Sequence, residues 1–194
     1  MGYLSVLLAD DEELTRLDIK EHLRENGYIV CAETGNGIEV LELARMTNPD
    51  IALLDIRMPG MDGIEVAKQL RSIGIPTVLM TAYNKPGFIN RAEKVGVYGY
   101  LNKPLKEQDV IPALQIAYGR WNEMLKLSKE VDLYKRKIED FKCIDRAKSI
   151  YARERGISEY DAHGEILRIS MNSGEPLVRI CKEIIRKYIA QEKQ

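Results

Sequence analysis

Polar side chains stand at the ends of several short apolar stretches in the first half of the chain. Asp10 and Asp11 follow the first stretch, Asp55 ends the third, Thr81 ends the fourth and Lys103 follows the fifth. Carboxylates that lie close together repel one another unless one is protonated or a cation compensates them. Mg2+, a small hard cation, prefers such oxygen ligands. The set predicts phosphoryl transfer to Asp55, with Mg2+ and Lys103 neutralising charge on the transferred group.

The elements that must position these residues follow from the hydrophobic pattern. Apolar stretches predict strands at 3–9, 28–31, 51–55, 77–81 and 99–101. Helical periodicity lies between them, including 37–46, 63–71 and 86–95. This alternation predicts an α/β fold with a doubly wound, five-stranded parallel sheet of the flavodoxin-like type. The carboxyl ends of parallel strands meet at one edge, so the polar residues should converge there.

Three segments of the first half also resemble a known family. They are VLLADDE at 6–12, LDIRMPGMDG at 54–63 and Lys103-Pro104. Together they resemble the receiver domain of two-component response regulators. The resemblance covers about residues 3–120 and implies that a sensor histidine kinase phosphorylates Asp55. It implies a regulatory protein rather than an enzyme.

The receiver resemblance implies a role for each residue of the site. The ligands of Mg2+ would be Asp10, Asp11, Asp55 and the backbone carbonyl of Arg57. The residues that sense the phosphoryl group would be Thr81, Lys103 and Tyr100, the last as the switch aromatic. The peptide bond between Lys103 and Pro104 is usually cis in this family, which the sequence permits.

The second half of the chain has a different pattern. Strand-like stretches stop near residue 107, and apolar residues recur at heptad spacing along a predicted helix. Two rows with a step of seven form this seam: Met124, Val131 and Ile138, and Leu127, Tyr134 and Phe141. The pattern predicts a dimeric coiled coil followed by short helices. The alternative is a helix that packs on its own domain.

The last fifty residues resemble a second family. Residues 144–151, 156–162 and 166–171 resemble the ANTAR domain, an RNA-binding module of transcription antitermination. Ser149 and Cys181 depart from the usual Gly and Ala of that family. The predicted organisation is a receiver domain at 1–120, a coiled-coil linker at 121–142 and an all-α three-helix ANTAR domain at 143–194.

An RNA-binding role requires cations for phosphates and a group that engages unstacked bases. The residues predicted to contact RNA are Lys142, Arg146, Lys148, Tyr151, Arg153 and Arg168. The alternative is that these cations form a solvated face and that Tyr151 belongs to the core. Ala147 is expected at a close contact between helices.

The composition limits the classes of partner and the cellular location that the sequence can predict. Residues 1–109 carry 12 Lys or Arg and 17 Asp or Glu, whereas residues 110–194 carry 17 and 13. Only the second half therefore has the charge to attract a polyanion. No apolar run approaches the ~20 residues of a membrane span. The three cysteines have no metal-binding spacing, which favours reduced thiols in the cytoplasm.

The resulting hypothesis is a monomer–dimer switch: phosphorylation of Asp55 pairs two chains, which then bind RNA stem-loops and cause antitermination. One alternative is a DNA-binding transcription factor with a helix-turn-helix. Ser158, Glu159 and Asp161 argue against it, because acids at the start of a recognition helix repel phosphates. The other alternative is a signalling protein whose helices bind a protein partner.

Overall fold

The computed structural model describes residues 4–82 and 95–191, which fall into two compact units with a boundary between Leu125 and Lys126. The helix predicted at 86–95 lies outside the described residues apart from its last position. Each unit has its own hydrophobic core.

The first unit is built on a five-stranded sheet. Its strands are β1 (Ser5–Ala9), β2 (Ile29–Thr34), β3 (Ile51–Asp55), β4 (Thr77–Thr81) and β5 (Gly99–Asn102). All neighbouring strands are parallel, and their order is β2-β1-β3-β4-β5. Strands β3 and β4 are buried along their whole length, which explains why they are apolar throughout. The predicted doubly wound sheet is confirmed.

Helices cover both faces of this sheet, because alternate residues of each strand point to opposite sides. Helices α1 (Glu13–Glu25), α2 (Gly37–Thr47) and α3 (Gly63–Ser72) follow the first three strands. Leu7 packs in the core formed with α2 and α3. Its neighbour Leu8 packs in the core formed with α1 and the start of the long helix that follows β5.

Strand β2 runs from Ile29 to Thr34, beyond the predicted end at residue 31. Its last residues were not predicted as strand because they are polar. Glu33 forms an ion pair of 2.7 Å with Lys20 of helix α1. The hydroxyl of Thr34 donates a hydrogen bond to Glu39. Pairing of residues 32–34 with β1 keeps this end of the strand extended, and the two side-chain contacts support it.

Helix α4 (Glu107–Arg155) is continuous over 49 residues. Its first turns bury Val110, Leu114, Ala117 and Trp121 in the first unit. Residues from 126 onward belong to the second unit.

The second unit is a helical core made by the end of α4, α5 (Glu159–Ser173) and α6 (Leu177–Gln191). Helix α5 begins after Ser158, whose hydroxyl accepts a hydrogen bond from the N–H of Asp161. It ends at Gly174, which has φ of +68°. The core residues are Ala147, Tyr151, Ala152, Ala162, Ile166, Ile180 and Cys181. None of the helices in the described residues is long and apolar enough to span a membrane.

Candidate functional site

Three carboxylates converge at the carboxyl edge of the sheet. One oxygen each from Asp10, Asp11 and Asp55 lies within 4.8 Å of the others. Asp10 follows β1 and Asp55 ends β3, and these strands are neighbours. Asp10 and Asp55 are buried, whereas Asp11 is exposed. The cluster is therefore open to solvent on the side of Asp11, where an ion or a phosphodonor could enter.

Lys103 supplies the positive charge of the cluster. Its Nζ lies 2.6 Å from Asp10 Oδ2 and 3.0 Å from Asp55 Oδ1. The backbone N–H of Lys103 donates to the carbonyl of Thr81, at 2.7 Å, which fixes the segment after β5 against the end of β4. The Lys103–Pro104 peptide bond is cis.

The electrostatics of the cluster penalise the ionised form of Asp55. Burial raises the pKa of Asp55, and the charge of Asp10 adds to this effect. Lys103 lowers the pKa of Asp55, and so does the backbone N–H of Arg57, which donates to Asp55 Oδ2 at 2.8 Å. These two effects do not cancel the increase in the pKa. Burial alone would lower the pKa of Lys103, but Asp10 and Asp55 outweigh that effect and raise it.

This donor set fits a hard divalent cation. Three carboxylates face one ammonium group, so the cluster keeps an excess of negative charge, and all its donors are oxygens. The hydrogen bond from the Arg57 N–H holds the backbone of Arg57 beside the Asp55 carboxylate. Asp11, Asp55, Thr81 and Lys103 line the same open cavity.

The two remaining predicted site residues lie on adjacent strands. Thr81 is buried at the end of β4, and Tyr100 lies on β5, which pairs with β4. The Tyr100 side chain is 53% exposed. The structure thus brings Asp10, Asp11, Asp55, Thr81 and Lys103 together and leaves the ring of Tyr100 at the surface.

The predicted seam on α4 is half-buried at its first residue and exposed over the rest of its length. In the first row, Met124 is half-buried, and Val131 and Ile138 are 50% and 55% exposed. The second row is exposed throughout: Leu127, Tyr134 and Phe141 are 56%, 62% and 71% exposed. The second row therefore presents its apolar side chains to solvent.

Met124 differs from the other predicted seam residues because it belongs to the first unit and has a partner there. Its sulfur accepts a hydrogen bond of 3.0 Å from the hydroxyl of Tyr98. The ring of Tyr98 also packs edge-on against Trp121, with 5.3 Å between centroids. The exposed part of the seam therefore begins at Leu127.

Two families match this chain. The response regulator receiver domain matches residues 6–115, and the ANTAR domain matches residues 133–185. The transcriptional regulatory protein PdtaR of Mycobacterium tuberculosis is 36% identical over 181 residues, which cover 93% of this chain and 88% of that protein. This chain belongs to the response regulators with an ANTAR domain. It therefore has a regulatory architecture, with a receiver that precedes a helical output domain.

Solved structures of other response regulators are similar to the receiver part of this chain. The signal receiver domain of the response regulator NarL from Mycobacterium tuberculosis has a TM-score of 0.59 and 31% identity, and the match covers 61% of this chain and 98% of that one. A DNA-binding response regulator of the LuxR family from Staphylococcus aureus has a TM-score of 0.57 and 26% identity, with 59% and 98% covered. These matches support the receiver fold and do not reach the output domain.

The ANTAR domain of this response regulator displays most of the cations predicted to contact RNA. Lys142, Arg146, Arg153 and Arg168 are exposed. Lys148 is half-buried and forms an ion pair of 3.1 Å with Asp145. Ala147 is fully buried in the helical core, as expected for a close contact between helices.

Tyr151 does not lie where base stacking requires it. The side chain is 9% exposed and packs in the ANTAR core, and its hydroxyl donates to Glu165 at 3.0 Å. A ring that is covered on this scale has no free face for a base. Tyr151 is a core residue, which is the alternative that the sequence left open. It is therefore not one of the RNA contacts.

Several contacts in the ANTAR domain were not predicted. The guanidinium of Arg155 lies over the Tyr151 ring, 5.3 Å from its centroid, and Arg153 donates to the hydroxyl of Tyr188. Ser149, which replaces the usual glycine, donates to Glu159 at 2.6 Å. The contacts of Arg153 and Ser149 join residues from different helices, so no periodic signal in the sequence could have revealed them. Tyr151 and Arg155 are four residues apart on α4 and therefore share a face of that helix.

Gly63 gives a first prediction because it lies against the backbone of Asp55. A Cβ at this position would lie 2.1 Å from the backbone carbonyl oxygen of Asp55. Gly63→Ala is therefore expected to lower the free energy of unfolding by about 2–3 kcal/mol and to slow phosphorylation, because the end of β3 must shift. Urea unfolding and the rate of labelling by acetyl phosphate measure the two effects.

Gly119→Ala is the matched control for this prediction. Gly119 lies inside helix α4, and a Cβ there would meet no atom within 4 Å. We expect this variant to be as stable as the wild type or up to about 1 kcal/mol more stable, with unchanged phosphorylation. Equal stability of Gly63→Ala and the wild type would contradict the described packing at Asp55.

Proposed function

We propose that this response regulator is activated by phosphorylation of Asp55, then dimerises along α4 and binds RNA stem-loops to cause transcription antitermination. The observation that carries the proposal is the exposed seam of Leu127, Val131, Tyr134, Ile138 and Phe141. Along the sequence, this seam follows the receiver residues and precedes the core residues of a domain from an RNA-binding family.

Asp55 is the proposed acceptor of a phosphoryl group from a sensor histidine kinase. One carboxylate oxygen of Asp55 would attack phosphorus, and the bond to the phosphodonor would break. Asp10, Asp11, Asp55 and the carbonyl of Arg57 would hold Mg2+, which supplies positive charge beside the transferred oxygens. Lys103, already 3.0 Å from Asp55, would contact the phosphoryl group.

Thr81 and Tyr100 are the proposed sensors of the phosphoryl group. Thr81 lines the same cavity as Asp55, so its hydroxyl can donate to an added phosphoryl oxygen. Tyr100 stands on the neighbouring strand with an exposed ring, and we propose that this ring moves inward on phosphorylation. Such a movement would alter the surface of the receiver and favour the dimer.

The seam explains why dimerisation can be conditional. Seam residues that are at least 50% exposed lose this contact with water when a second chain covers them, and apolar burial stabilises the pair. The exposed rows extend only from Leu127 to Phe141, about two heptads. A seam of that length buries a small apolar area, so it gives the pair only a limited stabilisation. A small bias from the receiver can therefore decide between monomer and dimer.

The proposed domain limits are a receiver at 1–120, a linker helix at 121–142 and the ANTAR domain at 143–194. RNA phosphates would be contacted by Lys142, Arg146, Lys148, Arg153 and Arg168. Two ANTAR domains in one dimer could bind two stem-loops at once, and the second contact would raise the overall affinity. We place this activity in the cytoplasm, where a transcript is accessible.

Fluorescence anisotropy tests this function. A labelled RNA with two stem-loops and a duplex DNA of equal length are titrated with the protein at fixed salt, with and without beryllofluoride and Mg2+. We expect tight RNA binding only with beryllofluoride. A preference for duplex DNA would replace this function with that of a transcription factor, and binding to neither would indicate a protein partner.

A further inference from the structure

Charged residues flank the exposed seam on both sides. In a heptad repeat with Val131 and Ile138 at position a, positions e and g border the interface. The residues at these bordering positions are Glu130 and Lys137 at g, and Lys135 and Lys142 at e. All four side chains are exposed. They can therefore reach the corresponding side chains of a second copy without a change in the fold.

The lysines near the end of the seam have no acidic partner in the part of the chain that the structure describes. The ammonium group of Lys137 lies 5.7 Å from the ring centroid of Tyr134, a seam residue, which places the charge at the seam edge. Asp145, three residues after Lys142, forms its ion pair with Lys148 instead. Among the described residues, no carboxylate lies within 4 Å of the Lys137 or Lys142 ammonium group.

A parallel pair brings these lysines together. Within parallel coiled coils, β-branched residues at position a, such as Val131 and Ile138, favour two strands. In that arrangement each g residue faces the e residue five positions later in the other copy. Glu130 then faces Lys135 of the second copy, which is attractive, and Lys137 faces Lys142 of the second copy, which is repulsive. Two-fold symmetry doubles each contact, so four ammonium groups gather at the end of the seam.

We propose that Lys137 and Lys142 of both copies form one anion site that binds the backbone phosphates of RNA. This inference rests on the dimerisation and RNA binding proposed above, and it adds that RNA and the second copy bind cooperatively. Without a polyanion the like charges oppose closure of the seam, and phosphates remove that opposition. By linkage, the factor by which RNA tightens the dimer equals the factor by which dimerisation tightens RNA binding.

The position of the site suits an RNA that is already held by the ANTAR domain. Lys142 immediately precedes Cys143 and Ile144, which pack against the ANTAR core. Arg146 follows Lys142 by one helical turn and is exposed. A strand bound by this domain can therefore extend its backbone onto the lysines of the seam.

Lys137→Glu tests the site because it should move two measured quantities in opposite directions. In a parallel pair, the variant replaces two Lys–Lys contacts with two Glu–Lys contacts. We expect the RNA-free, beryllofluoride-activated dimer to become about tenfold tighter, measured by sedimentation equilibrium. Affinity for a two-stem-loop RNA should fall at least about tenfold, and the slope of log K against log salt should fall by about two per dimer.

Lys129→Glu is the matched control. Lys129 is exposed and occupies position f, on the side of the helix away from the seam. The charge change is the same, so any general electrostatic effect on RNA appears in both variants. We expect an unchanged dimer dissociation constant and a smaller loss of salt dependence for Lys129→Glu.

Three results would overturn the site. A weaker dimer for Lys137→Glu would indicate antiparallel pairing, in which Glu130 faces Lys137 of the second copy. Equal losses of RNA affinity for Lys137→Glu and Lys129→Glu would remove the lysines from the RNA contacts. Inorganic polyphosphate that tightens the wild-type dimer as much as RNA, at equal phosphate concentration, would exclude RNA as the ligand. A wild-type protein that stays monomeric or binds no RNA would instead remove the proposed function, and the site with it.

Discussion

Asp55→Asn is expected to abolish phosphorylation by acetyl phosphate, with a decrease of at least about a thousandfold in acid-labile phosphate per chain. The amide cannot act as the nucleophile, and no other carboxylate of the cluster combines the position of Asp55 with contact to Lys103 and Arg57. The variant should also lose the activation of RNA binding. Mass spectrometry of the intact protein measures the added phosphoryl group directly.

The fold should survive this change. Burial raises the pKa of Asp55, so the folded state disfavours its ionised form, and a neutral amide of the same shape relieves that penalty. We therefore expect a free energy of unfolding at pH 7 in EDTA that is no lower than that of the wild type. Asp18→Asn, at an exposed position of α1, controls for loss of one charge and should keep full phosphorylation. Undiminished labelling of Asp55→Asn would place the phosphoacceptor elsewhere.

Replacement of Val131 and Ile138 with Asp is expected to have the second large effect, a loss of dimerisation and RNA binding. Val131 and Ile138 are about half exposed in the single chain, so Asp is tolerated there in a monomer. In a closed seam the two copies of each Asp would face each other without a partner, which is costly. The double variant Val131→Asp, Ile138→Asp should weaken the activated dimer at least about a thousandfold and RNA binding about a hundredfold.

Leu133→Asp provides the control for the seam variants. Leu133 is 52% exposed on the same helix but belongs to neither seam row, so it presents the same chemical change away from the interface. This variant should dimerise and bind RNA as the wild type does. If the double variant binds RNA with unchanged affinity, dimerisation is not required for RNA recognition. If Leu133→Asp is equally defective, the interface lies on another face of α4.

The receiver could be predicted from the sequence because buried parallel strands leave a local signature. Each strand is a short apolar stretch, and the residue after it is placed by the sheet rather than by distant contacts. Asp10, Asp55 and Lys103 are therefore found together from their positions alone, and the structure places Lys103 within 3.0 Å of both carboxylates. The polar end of β2 lacks this signature and was missed.

The second half was less predictable because helical spacing shows which residues share a face and not what covers that face. Met124 fits the seam by spacing, but its partner is Tyr98, 26 residues away. Tyr151 fits an exposed cationic region by sequence, but its hydroxyl partner is Glu165 on the next helix. Both assignments depend on tertiary contacts, which no periodic pattern contains.

Sedimentation velocity with a labelled two-stem-loop RNA tests the central claim most directly, because it reports activation, dimerisation and RNA binding in one experiment. With beryllofluoride and Mg2+, we predict a single complex with the mass of two chains and one RNA, whereas the unactivated protein should leave the RNA free at the same concentration. A complex of one chain and one RNA that forms equally well without beryllofluoride would contradict the account.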